Sequence, residues 1–103
     1  MEYKKYGDTV YIRADKGDEI ISAIKDVCKK EQILSAVYSG IGGCSGAEIQ
    51  TFLPESGTFE TKTISGMLEL VSLTGNIILD ENGELYPHTH ALFSYKEGEK
   101  HTM

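Results

Sequence analysis

Only one stretch of this chain repeats its apolar residues with the period of a helix, and nearly everything else alternates with the period of a strand. Ile20, Ile21, Ala23, Ile24, Val27 and Cys28 fall on one stripe of a 3.6-residue repeat. That spacing predicts a single amphipathic helix. Asp15 is expected to cap its N-terminus, Asp18 and Glu19 sit near the positive end of the helix dipole, and Lys29 and Lys30 near the negative end. A first strand is expected over 6–13, opening at the Gly7-Asp8 turn, because Val10 and Ile12 alternate with Thr9, Tyr11 and Arg13.

Beyond the helix, residues 33–39 read as a buried strand. The segment Gly40-Ile41-Gly42-Gly43-Cys44-Ser45-Gly46 is expected to join it to a second, alternating strand over 47–52. Residues 54–57 form a turn by composition, followed by a strand over 58–64. The most apolar stretch, 66–79, reads as two short strands or one bent at Gly75, at the centre of the sheet. An Asn-Gly turn at 80–84 then leads through Pro87 to a strand over 88–95. One main packed helix among about seven strands, with strands following strands, predicts an α+β domain on a mostly antiparallel sheet.

With 103 residues and 40% apolar content, the chain has one domain's worth of core. Its net charge of −6 repels polyanions, so nucleic acid is an unfavourable partner. No run approaches the roughly 18 apolar residues of a membrane span, and the first residues lack the apolar region of a secretory signal, so a soluble, cytoplasmic protein without membrane contact is expected. Cys28 and Cys44 form no C-x-x-C and are expected to be small buried fillers in a reducing compartment, neither of them a nucleophile.

Candidate chemistry is sparse. Gly40-Ile41-Gly42 begins a G-x-G, but the third glycine of a dinucleotide loop would fall on Ser45, and the following residues alternate like a strand. The glycines therefore read as conformational, allowing a reversal or bulge. His88-Thr89-His90 is more specific. Residues i and i+2 of a strand share a face with Cα atoms roughly 6.5 Å apart, so two imidazoles can meet one ion; the same spacing also suits an ordinary surface or core pair. Neutral imidazole suits zinc, nickel, copper or iron, and a third ligand would come from elsewhere in the chain or from another subunit. His101 and Glu69 are the candidates within the chain. Glu69 interrupts the run Met67-Leu68-Glu69-Leu70-Val71, where it is either a buried ligand, base or hydrogen-bond anchor, or a solvent-facing residue of an alternating strand. Ser39, Ser72 and Thr74 show no Ser/His/Asp arrangement.

Taken in order, four motifs resemble the plant and prokaryote conserved domain family, written PPC or PCC. They are Gly17-Asp18-Glu19-Ile20 at the helix opening, Ser39-Gly40-Ile41-Gly42, the run from Gly66-Met67-Leu68-Glu69-Leu70 to Thr74-Gly75-Asn76, and His88-Thr89-His90-Ala91. The resemblance spans almost the whole chain. It implies an antiparallel sheet with a packed helix, assembled as a homotrimer, and a metal site of zinc or another divalent transition metal near the subunit boundary, made by the H-x-H pair and a later histidine. Ser39, Gly40, Gly42 and Glu69 are the expected lining of a small-molecule or structural pocket beside His88 and His90.

Two departures stand out. Family members continue past the H-x-H strand through a Gly-Gly-His segment and further strands, whereas this sequence closes on Lys100-His101-Thr102-Met103, so the family's C-terminal strands are expected to be missing or abbreviated. His101 lies eleven positions after His90 without the preceding glycines, which weakens it as the third ligand. The family's DNA-binding label belongs to relatives bearing an Arg-Gly-Arg-Pro hook, and here Arg13 is the single arginine. A metal-dependent hydrolase or lyase, with Glu69 as general base, is the enzymatic alternative. Cupins also place H-x-H on a strand, but they add a glutamate three or four residues later, where this sequence has Ser94 and Tyr95.

Overall fold

The computed structural model describes the backbone of residues 1–97 and 100–102 and the side chains of 1–50 and 53–95. The fold is α+β and mostly antiparallel. In chain order the elements are β1 (Glu2–Tyr6), β2 (Thr9–Arg13), α1 (Ile20–Lys30), β3 (Ala36–Leu53), β4 (Thr58–Leu79), β5 (Leu85–Glu97) and β6 (Lys100–Thr102). β1 and β2 form a two-stranded sheet, and a second sheet has the order β3-β4-β5-β6. Two compact units result, Met1–Tyr38 with Gly75–Thr89 and Ser39–Thr74 with His90–Met103, so β3, β4 and β5 each contribute to both.

In the first unit, β1 and β2 pair as an antiparallel hairpin in which Tyr3 faces Ile12 and Lys5 faces Val10. The expected first strand over 6–13 is thus split by the Gly7-Asp8 turn, with a preceding strand that the charged run Tyr3-Lys4-Lys5-Tyr6 does not betray. The Tyr3 hydroxyl donates to Glu31 Oε2 at 3.0 Å, tying β1 to the end of the helix. α1 occupies the predicted stripe and buries Ala23, Val27 and Cys28, and Ile77 of β4 is buried in the same unit.

The cap of α1 differs from the expectation. Glu19 is the N-cap, accepting from the Ile21 amide at 3.3 Å and the Ser22 amide at 2.6 Å. Asp15 is unavailable because its carboxylate accepts from Arg13 Nε and from the Met1 amino group, each at 3.0 Å. At the other end, Gln32 takes the left-handed conformation at φ 56°. The Ile33 amide then bonds the Cys28 carbonyl at 2.8 Å and the Gln32 amide bonds that of Lys29 at 3.4 Å, the paired bonds of a Schellman stop.

Five strands of at least five residues and the three-residue β6 replace the seven or so expected, because residues 36–53 and 58–79 each run without a break. The glycine segment 40–46 is therefore part of β3 and not a junction between strands. Gly42, at φ +154°, adopts a backbone that side chains disfavour. Along β3 the half-buried positions run 38, 40, 42, 44 and then 47 and 49. Along β4 the buried ones are Leu68 and Leu70, then Leu73 and Ile77. Each sequence changes parity once, as the single extra residue of a bulge would require. Turns at 54–57 and 80–84 fall where the sequence placed them, and in the latter Asp80 Oδ1 accepts from the Asn82 and Glu84 amides at 2.8 and 2.9 Å.

Of the two expectations at Gly75, a break into two strands is excluded, since β4 continues through it. A Cβ there would lie 2.7 Å from two ring carbons of Tyr38 and 2.5 Å from the His88 carbonyl oxygen. Its lack of a side chain lets the Tyr38 ring cross β4 and meet the Thr89 hydroxyl of β5 through a hydrogen bond between the two oxygens. Among the described residues no helix is long and apolar enough to cross a membrane.

Two substitutions test this account. Gly75→Ala forces the ring or β5 aside and is expected to cost about 1–3 kcal/mol in urea unfolding. Glu19→Ala is expected to cost about 0.5–1 kcal/mol through loss of the cap. Partial burial pushes the Glu19 carboxyl up, but the bonds from Ser22 and Ile21, aided by Lys25, outweigh it and hold the group below the ordinary glutamate range. The difference between wild type and Glu19→Ala should therefore be full above the pKa of an unfolded glutamate and vanish as pH falls through the lower folded value, which pH-dependent unfolding curves would show.

Candidate functional site

β5 presents its residues alternately, with Leu85, Pro87 and Thr89 half-buried and Tyr86, His88 and His90 exposed. The two imidazoles thus belong to one outward side of a single strand, two residues apart, as the period of the sequence requires. Thr89, between them, turns the other way and bonds Tyr38.

Such a pair fits part of the coordination shell of a borderline metal ion, because a neutral imidazole can donate one ring nitrogen to it. Two donors do not complete a shell. Among the described residues no third His, Cys, Asp or Glu joins them in a group able to hold a metal ion. His101 stands in β6 with its backbone opposite Lys96, and its side chain lies outside the described residues.

Glu69 is exposed between the buried Leu68 and Leu70, the position of a solvent-facing residue on an alternating strand and not of a buried carboxylate. Ser39 is exposed as well, whereas Gly40 and Gly42 are half-buried on the alternate positions of β3. In the second unit Glu69 has a neighbour that the sequence did not indicate. Partial burial, and after it the charge of Glu69, push the Cys44 thiol up. Both cysteines are unpaired: Cys28 is the buried filler expected, its thiol raised by burial, but Cys44 is only half-buried. Neither thiol has the lowered pKa of a nucleophile. Sequence reasoning also missed Tyr38, which meets Thr89 across 51 residues of chain; the lone signal for it is a glycine inside an otherwise apolar strand.

Comparison with known proteins gives a consistent picture. A model of the Plants and Prokaryotes Conserved (PCC) domain matches residues 1–102. The chain is similar to a candidate DNA-binding protein from Bacteroides thetaiotaomicron, at 29% identity and a TM-score of 0.85, covering 98% of this chain and 69% of that one. It is similar also to a plant- and prokaryote-conserved protein of Pyrococcus horikoshii, at 36% identity and a TM-score of 0.73, with 85% and 59% covered. A metal-containing protein of Archaeoglobus fulgidus matches at 26% identity and a TM-score of 0.76, with 88% and 63% covered. The chain thus spans between 59% and 69% of the length of these three structures. No curated protein matches it.

Removing the charge beside Cys44 should ease its ionisation. Glu69→Gln is expected to raise the rate of Cys44 alkylation by iodoacetamide at about pH 8 roughly twofold, read by intact mass, while Cys28 stays protected in the folded protein. An unchanged rate would assign the suppressed reactivity of Cys44 to burial alone.

Proposed function

The chain belongs to the Plants and Prokaryotes Conserved domain family, and on that premise we propose that it is a small, cytoplasmic, homotrimeric binding domain whose His88-Thr89-His90 segment helps hold zinc or another divalent transition metal, or a small ligand, near the subunit boundary. The observation that carries this reading is the pair of exposed imidazoles on one side of β5. His88 and His90 would each donate a ring nitrogen, and the remaining positions would be filled by His101, by a group of a second subunit or by the ligand itself. A metal held in this way supplies a Lewis-acidic centre able to bind and polarise an oxygen or nitrogen ligand. A relative that contains metal supports the assignment.

Assembly is supported by apolar side chains that a single copy leaves in water. In the first unit Val37 is 86% exposed, and in the second Ile41 and Met67 are 82% and 81% exposed. Covering such side chains by association would remove apolar surface from water. Two unpaired cysteines accord with a reducing compartment. DNA binding, after which the Bacteroides relative is named, finds no support in the charge of this chain, because one arginine and a net charge of −6 offer too few clustered cations to neutralise several phosphates.

Elemental analysis of untagged protein is expected to find near-stoichiometric transition metal in the wild type and a loss of it in His88→Ala. Metal far below stoichiometry and indifferent to that substitution would reject the metal reading. Light scattering is expected to give the mass of three chains, and a stable monomer would remove the trimer while leaving the histidines to be judged separately.

A further inference from the structure

The residue between the two histidines is as constrained as they are exposed. Thr89 points to the opposite side of β5, where its hydroxyl bonds that of Tyr38. The Tyr38 ring reaches it by crossing β4 over Gly75, where two ring carbons stand 2.7 Å from the place a Cβ would take. The His88 carbonyl oxygen lies 2.5 Å from the same place, so the peptide linking His88 to Thr89 is pressed against the glycine from the neighbouring strand. Three successive strands of the sheet, β3, β4 and β5, are thus tied at one level, by residues that all belong to the first unit.

This arrangement bears on how the histidines are presented. In a pleated strand, fixing the direction of one side chain fixes its two neighbours to the other face. A bond at Thr89 therefore resists rotation of the peptide planes on either side of it, the motion that would swing His88 and His90 apart. A metal site needs its donors held within about 0.5 Å and 10–20° of the working geometry, and groups that orient ligands are the means by which proteins achieve this.

We propose that Tyr38 and Thr89 act as a positioning pair for the His88–His90 metal site, a role that rests on the metal reading above. Neither residue touches the ion. Their bond sets the orientation of the strand segment from which the imidazoles project.

The test is zinc affinity, measured by competition with a chromogenic chelator on untagged protein. Thr89→Val and Tyr38→Phe remove one hydroxyl each with little change of volume, and each is expected to weaken zinc binding roughly tenfold. The double variant should be no weaker than either alone, since one bond is lost in all three. Thr89→Ser keeps the hydroxyl and should restore wild-type affinity. Cobalt(II) provides a signature that stability alone would not move: its visible bands are expected to shift in Thr89→Val and return in Thr89→Ser, compared at temperatures where all variants are fully folded. Zinc uptake equal in wild type and His88→Ala would overturn the metal reading and this role with it. Wild-type uptake that depends on His88 but is unaffected by Thr89→Val and Tyr38→Phe would overturn the positioning role alone.

Discussion

The constraint on which the first unit turns is an empty space. Because residue 75 has no side chain, an aromatic ring from one neighbouring strand and a backbone carbonyl from the other can both approach β4 closely. That closeness is what brings the Tyr38 hydroxyl to Thr89, the residue between the two histidines of β5. A methyl group at this point would strain packing near the only strand in which the chain places two imidazoles two residues apart.

The helix was legible because its signal is redundant: a single apolar stripe, acidic residues before it and lysines at its end all agree. Its ends were less so. Three acidic residues lie ahead of Ile20 within five positions, and composition cannot tell which one caps, since the outcome depends on Asp15 being engaged by Arg13 and the Met1 amine from another part of the fold. The stop is equally silent, because Gln32 takes a left-handed turn that sequence reading reserves for glycine or asparagine. β1 escaped notice for a different reason: Lys4 and Lys5 stand side by side between Tyr3 and Tyr6, so the strand carries no alternation of apolar and polar residues.

The sheet shows where local rules mislead. Glycine clusters ordinarily punctuate, and reading residues 40–46 as a joint divided one strand of 18 residues into two. At Gly75 the same habit allowed a break where the strand continues and its neighbours need clearance. The histidine pair, by contrast, was fully legible, because sharing a side of a strand is a property of spacing alone. Tyr38 was not, since nothing local links residues 51 apart, and spacing alone likewise could not name a third donor to join the two histidines.

The parity change within β4 has an evolutionary corollary. Leu68 and Leu70 count inward on even numbers, Leu73 and Ile77 on odd ones, and the shift between them keeps both sets out of water. Losing or gaining one codon in that interval would not merely shorten or lengthen the strand. It would invert every side chain on one flank, turning leucines outward and polar neighbours inward. Lineages of this chain are accordingly free to vary in length at the turns around residues 55 and 82, and bound to keep the interval from Leu70 to Leu73 at constant length.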